Sequence, residues 1–370
     1  MNEGRLRGKL NSDLVWSIAG LALFAVAGFG LNSLIGRYYG AAILGYFNLV
    51  LALYLILAQV CVGGMYFSVL RFASECAEDA ETLGQILVSA LAVAMAASLA
   101  TCGALFVLRH PISAFFDSPD MALGLLCILP GLVAFACNKV FAALVNGMRH
   151  MRFLALTNAA RGGLIVAAAW AIYRAGLTPA LLPLALTAAE LGVLALFAVF
   201  AYGRAGVPFS RLSRVWLERQ LRFARGAFLS GFLLDINPRV DLLMLGYFMG
   251  DRAVGIYSMA AMIAEGVYQL PVVVQLNVNP LIARFAKAGA WGQLQQLARR
   301  THLLLVPAMV CVTAALVLVY GQLMSLLTDD PVFVSGQTSC AILVSAIALA
   351  SGYIAFSMAL SQCGYPGCYT

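Results

Sequence analysis

The sequence predicts an all-α polytopic membrane protein, a two-lobed helical bundle built from a six-helix repeat, with about ten transmembrane helices and an incomplete second lobe. Three observations lead there. First, 62% of the 370 residues are hydrophobic and only 11% are charged, with a mean hydropathy of +0.91. Such a chain has too few polar groups to cover a water-facing surface, so the bilayer is its solvent. Second, ten stretches reach the roughly 20 apolar residues that a helix needs to cross hydrocarbon: 14–35, 43–66, 83–108, 121–144, 154–173, 181–202, 228–249, 254–278, 303–327 and 338–360. Third, Gly36, Gly40, Gly45 and Gln59 recur 210 residues later as Gly246, Gly250, Gly255 and Gln269, and Val107-Leu108 before Pro111 recurs as Val317-Leu318 before Gly321. One offset kept across three spans marks an internal duplication, and carriers that alternate access are commonly built from repeats of several helices.

The first span trails a basic start, Arg5, Arg7 and Lys9, but is longer than a secretory signal and lacks its small-residue cleavage site, so it is expected to remain as an anchor. Gly36-Arg-Tyr-Tyr-Gly40 closes it, and Gly246-Tyr-Phe-Met-Gly250 closes the seventh span; small residues four apart let helix backbones approach closely in lipid. After the sixth span comes a hydrophilic segment at 203–225. Arg211, Arg214, Glu218, Arg222 and Arg225 share one helical face there, with Leu212, Trp216 and Phe223 on the next, the pattern of a helix lying in the membrane interface. A second such segment, 281–300, carries Arg284, Lys287, Trp291, Arg299 and Arg300. The predicted domains are therefore a first six-helix lobe at 1–203, a cytoplasmic amphipathic linker at 204–225, and the first four helices of a second lobe at 226–370. A six-span repeat needs two further helices, and Leu360-Ser-Gln-Cys-Gly364 resembles Leu144-Val-Asn-Gly147, so the sequence is expected to be a fragment or a truncated reading frame.

The net charge of +7 belongs to orientation and implies no nucleic-acid partner. With the amino terminus in the cytoplasm, sixteen of the 23 Lys and Arg residues fall on that side, four (Arg37, Arg109, Arg174, Arg252) outside and three (Lys139, Arg161, Arg239) in the membrane. The nine cysteines sit mostly inside apolar spans, as small hydrophobes, and the three histidines are isolated, so neither a disulfide scaffold nor a metal site is expected.

Ionisable groups at bilayer depth cost several kcal/mol unless paired or hydrated, which makes each a functional candidate. They are Lys139, Arg161, Glu190, Asp235, Arg239, Asp241 and Glu265. Asp235 and Arg239 stand four apart on one face, and Glu190 has either Lys139 or Arg161 as a neutralising partner. The first six spans hold two cations against one carboxylate, with Arg37 at the mouth, and guanidinium groups bind phosphate oxygens bidentately. Arg37, Lys139, Arg161 and Arg239 are accordingly the candidate contacts for a phosphorylated substrate. Pro238 is expected to kink the seventh span, freeing the carbonyl of Leu234. Asn237 with Asp241, and Glu265 with Gln269 ahead of Pro271, then supply carboxylate and amide oxygens to hold a proton or sodium ion. The same amides, with Gln275, Asn277 and Asn279, also fit plain hydrogen bonding between helices.

The stretch Arg239-Val-Asp-Leu-Leu-Met-Leu-Gly-Tyr-Phe-Met-Gly-Asp-Arg-Ala-Val-Gly-Ile-Tyr-Ser-Met-Ala260 resembles the second-lobe signature of the polysaccharide transporter family, the O-antigen type flippases. Its partners are Gly40-Ala-Ala-Ile-Leu-Gly-Tyr-Phe47, Gly63-Gly64, Val69-Leu-Arg-Phe-Ala-Ser-Glu75 and Asn279-Pro280. The resemblance implies a flippase of the multidrug, oligosaccharidyl-lipid and polysaccharide superfamily in a bacterial inner membrane. Such proteins move undecaprenyl-diphosphate-linked oligosaccharides to the periplasmic leaflet for O-antigen, lipopolysaccharide, capsule or exopolysaccharide assembly. They use a proton or sodium gradient rather than a bound cofactor, and work beside a polysaccharide polymerase and other assembly proteins. Asp241 matches a family position. A multidrug extruder of the same fold is the nearest rival; it favours an acidic first lobe, which Lys139 and Arg161 oppose. A membrane polymerase or ligase needs a sizeable external loop with catalytic residues, and the chain offers short loops, no Gly-x-Ser-x-Gly and no metal motif.

Overall fold

The computed structural model describes residues 3–359, excepting the side chains of residues 3–15, 17–19, 21, 227, 229–231 and 234–235. Helices are the only regular secondary structure among the described residues. The side chains of Arg5, Arg7, Lys9 and Asp235, and the tail Leu360 to Gly364, lie outside them.

Helix length explains the first turn of the fold. Helix α1, Glu3–Val62, has 60 residues and would extend about 90 Å if straight, against about 30 Å of hydrocarbon. Gly40 breaks it, at φ 82° and ψ 179°, a region essentially closed to residues with a Cβ. The chain folds back there. Asn48 Nδ2 donates to Asn32 Oδ1 at 2.9 Å, although the two, eight residues either side of Gly40, would be about 24 Å apart along a straight helix. Gly250 repeats the device in α8, Val240–Lys287, with φ 77° and ψ 178°. Two glycines 210 residues apart thus share one rare backbone conformation, which is the structural counterpart of the repeat in sequence. Eight helices among the described residues are long and apolar enough to cross a membrane, and these two breaks divide the 41-residue and 51-residue members, giving ten apolar segments.

The remaining helices are α2 (Met65–Glu75), α3 (Ala80–Phe115), α4 (Met121–Gly147), α5 (Met151–Arg174), α6 (Leu184–Ala198), α7 (Arg214–Ile236), α9 (Trp291–Leu327) and α10 (Gln337–Ile354). Asp79 starts α3 by accepting the Thr82 hydroxyl and the N–H groups of Glu81 and Thr82; these bonds, the Thr82 hydroxyl's foremost, hold its carboxyl below the usual range. Prolines 111, 130, 271, 280 and 307 lie within helices, where neighbouring groups in a membrane bundle satisfy the freed carbonyls. The expected kink at Pro238 takes a milder form, a 3-10 turn at Asn237–Arg239 that joins α7 to α8 with helical dihedrals on both sides.

The chain divides into two compact units, Met1–Ile35 with Ala42–Val254, and Gly36–Ala41 with Gly255–Thr370. In the first, α4 is the most buried of the membrane-length helices, and glycines set its neighbours' distance. A Cβ on Gly124 would strike Tyr46 and Val50, on Gly131 Thr187, and on Gly147 Ala73. In the second unit Gly336, opening α10, is wedged in the same manner against Ile256, the residue 210 positions after Tyr46. Tyr320, fully buried, donates to the carbonyl of Phe333 at 3.2 Å. Leu303, Leu304, Leu318 and Leu326 of α9 stay exposed, as befits a face whose solvent is lipid.

The segment after α6 departs from the interfacial helix read from its pattern. Residues 205–213 are not helical, and α7 begins only at Arg214. Trp216 and Phe223 do not face acyl chains; both rings pack on Phe72 of α2, with centroids 5.5 and 6.1 Å away. Gln220, fully buried, donates to the carbonyl of Ile86 at 2.9 Å, and Gly64 leaves room for the backbone of Ala224. A helix with Trp, Gln, Phe and Ala on one stripe found protein to bury against, so the stripe is a packing face. Leu212 remains exposed.

Candidate functional site

The polar residues inside the first unit converge on one place. Glu190 of α6 is 3% exposed, and a carboxylate so buried must be paired or neutralised. It is paired. Arg161 Nε of α5 stands 2.9 Å from Glu190 Oε1 without an aligned hydrogen bond from that nitrogen, so the attraction is chiefly one of charge. Asn138 of α4 donates to Glu190 Oε2 at 2.7 Å and to its carbonyl at 2.8 Å. The sequence left Glu190 a choice of two cations, and the fold selects Arg161.

Lys139 is half-buried beside this pair. Its Nζ lies 5.4 Å from the ring centre of Phe135 and 5.7 Å from that of Tyr66, while the Arg161 guanidinium lies 5.8 Å from Phe135. Tyr54 meets Phe135 edge to face at 5.7 Å and donates to the carbonyl of Gly131 at 3.4 Å. Two cations thus share an aromatic wall, a favourable setting for desolvated positive charge, and Glu190 pairs with one of them, Arg161. Asn138 Oδ1 is buried without a hydrogen-bond partner among the described residues, and a buried polar oxygen calls for a donor beside it.

The other predicted residues lie elsewhere. Arg37 forms an exposed ion pair with Asp329, 3.1 Å apart, within the second unit. Arg239 is half-buried in the 3-10 turn, and its expected partner Asp235 is outside the described side chains. Asn237 and Asp241 are exposed in the first unit, with Asp241 Oδ1 accepting the N–H of Leu242 at 2.8 Å. Glu265 and Gln269 are exposed in the second. Gln275 instead bonds to the hydroxyl of Ser357, and Asn277 to the carbonyl of Val273, which is helix-bundle hydrogen bonding. Among the cysteines, Cys61, Cys127, Cys137 and Cys340 are buried as expected, whereas Cys311 is exposed. No group of three or more His, Cys, Asp or Glu side chains converges among the described residues.

Sequence reasoning missed Asn138, Tyr54, Phe135 and Tyr66. Asn138 carried a signal, an amide in an apolar span adjacent to Lys139, whereas the aromatics read as ordinary span residues.

A duplicated all-helical bundle with ionisable side chains gathered inside its first unit fits a class, that of polytopic carriers. Comparisons give the family. The polysaccharide biosynthesis protein family's profile matches residues 12–284, well over half of the chain, and that of the MatE family matches residues 227–367. None of the curated proteins matches the sequence. Among solved structures, the chain is similar to the lipid II flippase MurJ in an inward closed conformation (TM-score 0.72, 15% identity, covering 95% of this chain and 75% of that one). It is also similar to the multidrug transporter DinF-BH (0.65, 16%, 98% and 84%) and to a transporter from Pyrococcus furiosus (0.58, 15%, 98% and 83%). The chain belongs to the polysaccharide biosynthesis protein family, within the multidrug, oligosaccharidyl-lipid and polysaccharide transporter superfamily. These families are transporters and flippases rather than enzymes.

Proposed function

We propose that the protein is a flippase for an undecaprenyl-diphosphate-linked oligosaccharide, and that Lys139 and Arg161 receive the diphosphate. One observation carries the reading: at membrane depth Arg161, held by the buried Glu190, and Lys139 stand over the same aromatic ring of Phe135. A diphosphate and its sugars cannot cross hydrocarbon unaided. They need a hydrated, cationic passage open to one side at a time, with the prenyl tail left in lipid. Glu190 fixes Arg161 in place and Lys139 adds a point charge. In this reading the cluster works on a bacterial inner membrane with the amino terminus in the cytoplasm, for O-antigen, lipopolysaccharide, capsule or exopolysaccharide assembly beside a polymerase. The spans of 1–203 act as one lobe, 204–225 travels with it because Trp216 and Phe223 are fastened to Phe72, and 226–370 supplies the helices of the other, although its part up to Val254 is compact with the first unit. A proton or sodium gradient drives the cycle, with Asp241 and Glu265, assisted by Asn237 and Gln269, as the coupling groups.

Reconstitution into vesicles tests this. Transfer of the lipid-linked oligosaccharide between leaflets should depend on the protein and accelerate under an imposed proton or sodium gradient. Extrusion of a cationic aromatic dye with no transfer of the oligosaccharide lipid would overturn the proposal in favour of a multidrug extruder.

A further inference from the structure

One loop of the first unit is fastened to the glycine turn of α8. Residues 116–120 join α3 to α4, and Ser118 among them is 1% exposed. Its backbone is tied to Ser113, whose carbonyl accepts its N–H at 3.1 Å and whose hydroxyl donates to its carbonyl at 2.6 Å. The side chain reaches a different element: Ser118 Oγ donates to Asp251 Oδ2 at 2.7 Å, 133 residues along the chain. Asp251 directly follows the turn at Gly250. Two further contacts flank this bond. Phe115 stacks on Tyr247 with centroids 4.5 Å apart, and Gly246 lies so close to Leu49 that a Cβ would strike it. All six residues belong to the first unit.

The repeat supplies a comparison. Thr328, 210 positions after Ser118, meets Gly36 within the second unit. An exposed ion pair, Arg37 with Asp329, stands beside that contact, whereas the contact in the first unit holds a half-buried carboxylate with one hydroxyl donor. Asp251 Oδ1 is buried without a hydrogen-bond partner among the described residues. The groups that face Asp251 are Asp117 and Asp120 from the loop of Ser118 and Tyr46 from the arm of α1 after Gly40; Arg252, next to it in the chain, is exposed. A carboxylate buried beside two others is costly to ionise.

Asp251 stands between apolar segments, at the break, so it reaches water once the contact opens. Burial foremost, and then Asp120 and Asp117, hold its carboxyl above the usual range against the pull of the Ser118 hydrogen bond. In water it returns to its ordinary value of about 4. The fastened state therefore binds the proton more tightly than the open one. By linkage the fastening is strongest below about pH 4 and weakens as pH rises through the raised value. We propose that Ser118 and Asp251 form a proton-controlled latch, which ties the α3–α4 loop to the Gly250 turn while Asp251 is protonated and loosens when it ionises.

Hydrogen exchange read by mass spectrometry on the purified full chain in detergent tests it. After correction for the intrinsic pH dependence of exchange, residues 113–120 and 246–254 of the wild type should be better protected at about pH 4 than at about pH 8, and the two segments should change together. Asp251→Asn, a permanent stand-in for the protonated carboxyl, should keep the high protection at both pH values. Ser118→Ala should lower protection in both segments about fivefold, the worth of one hydrogen bond, while residues 151–174 exchange as in the wild type and report an intact fold. Wild-type protection that ignores pH, a pH dependence that persists in Asp251→Asn, or loosening in Ser118→Ala confined to its own loop would overturn the latch.

Discussion

Arg161 and Glu190 illustrate how a charge at bilayer depth is made tolerable and how much is lost when its partner goes. Arg161→Ala leaves Glu190 buried beside Asn138 alone, and breaking a buried pair from one side costs about 3–5 kcal/mol. We expect Arg161→Ala to melt well below the wild type and Arg161→Ala with Glu190→Gln to recover most of the loss, read by thermal unfolding in detergent. A double variant as unstable as the single one would mean that Arg161 is held by something other than this carboxylate. The charges themselves were legible in sequence, because Lys139, Arg161 and Glu190 interrupt apolar spans at a cost that demands a reason. The choice of partner was not, since it depends on how α5 and α6 are rotated about their axes. Nor was the aromatic wall: Tyr54 and Phe135 in apolar spans look like any other core residues. Arg37 was legible as a cation near a span end, but its neighbour Asp329, 292 residues away, was not.

At the scale of the element, the paired glycines of each Gly-x-x-x-Gly step turned out to do different jobs. Gly36 and Gly246 are contact points, the first against Thr328 and Phe333, the second against Leu49. Gly40 and Gly250 are the turns themselves. Spacing alone could not separate these roles, because a close approach and a positive φ both select glycine. A Cβ at Gly40 or Gly250 would meet open space or only the edge of Asp330, so the penalty of substitution is the backbone's, about 1–3 kcal/mol. Gly40→Ala and Gly250→Ala should therefore lose similar stability, whereas Gly163→Ala, in open space within α5, should be neutral or gain up to about 1 kcal/mol. Thermal unfolding of the three variants decides this; tolerance at one turn but not the other would break the equivalence of the two copies. The face of α7 was legible as a stripe but not as to what covers it, for Trp216 and Phe223 suit an acyl boundary and Phe72 equally well.

For the whole molecule, the helical membrane fold and its duplication were the most legible features, since span length and a fixed 210-residue offset survive any detail of packing. The structure adds that the copies share a conformation at Gly40 and Gly250 and a glycine wedge at the start of α4 and α10. What joins this scaffold to its proposed work is the cluster of Lys139, Arg161 and Glu190 in the first unit. Lys139→Gln tests that link most cleanly, because it removes a cation while leaving Glu190 paired with Arg161. The decisive measurement is the initial rate of leaflet transfer of undecaprenyl-diphosphate-linked oligosaccharide in vesicles holding equal amounts of wild-type and Lys139→Gln protein. We predict a fall of about tenfold or more, the value of one charge-assisted contact to phosphate; an unchanged rate would contradict the assignment of the diphosphate to this cluster.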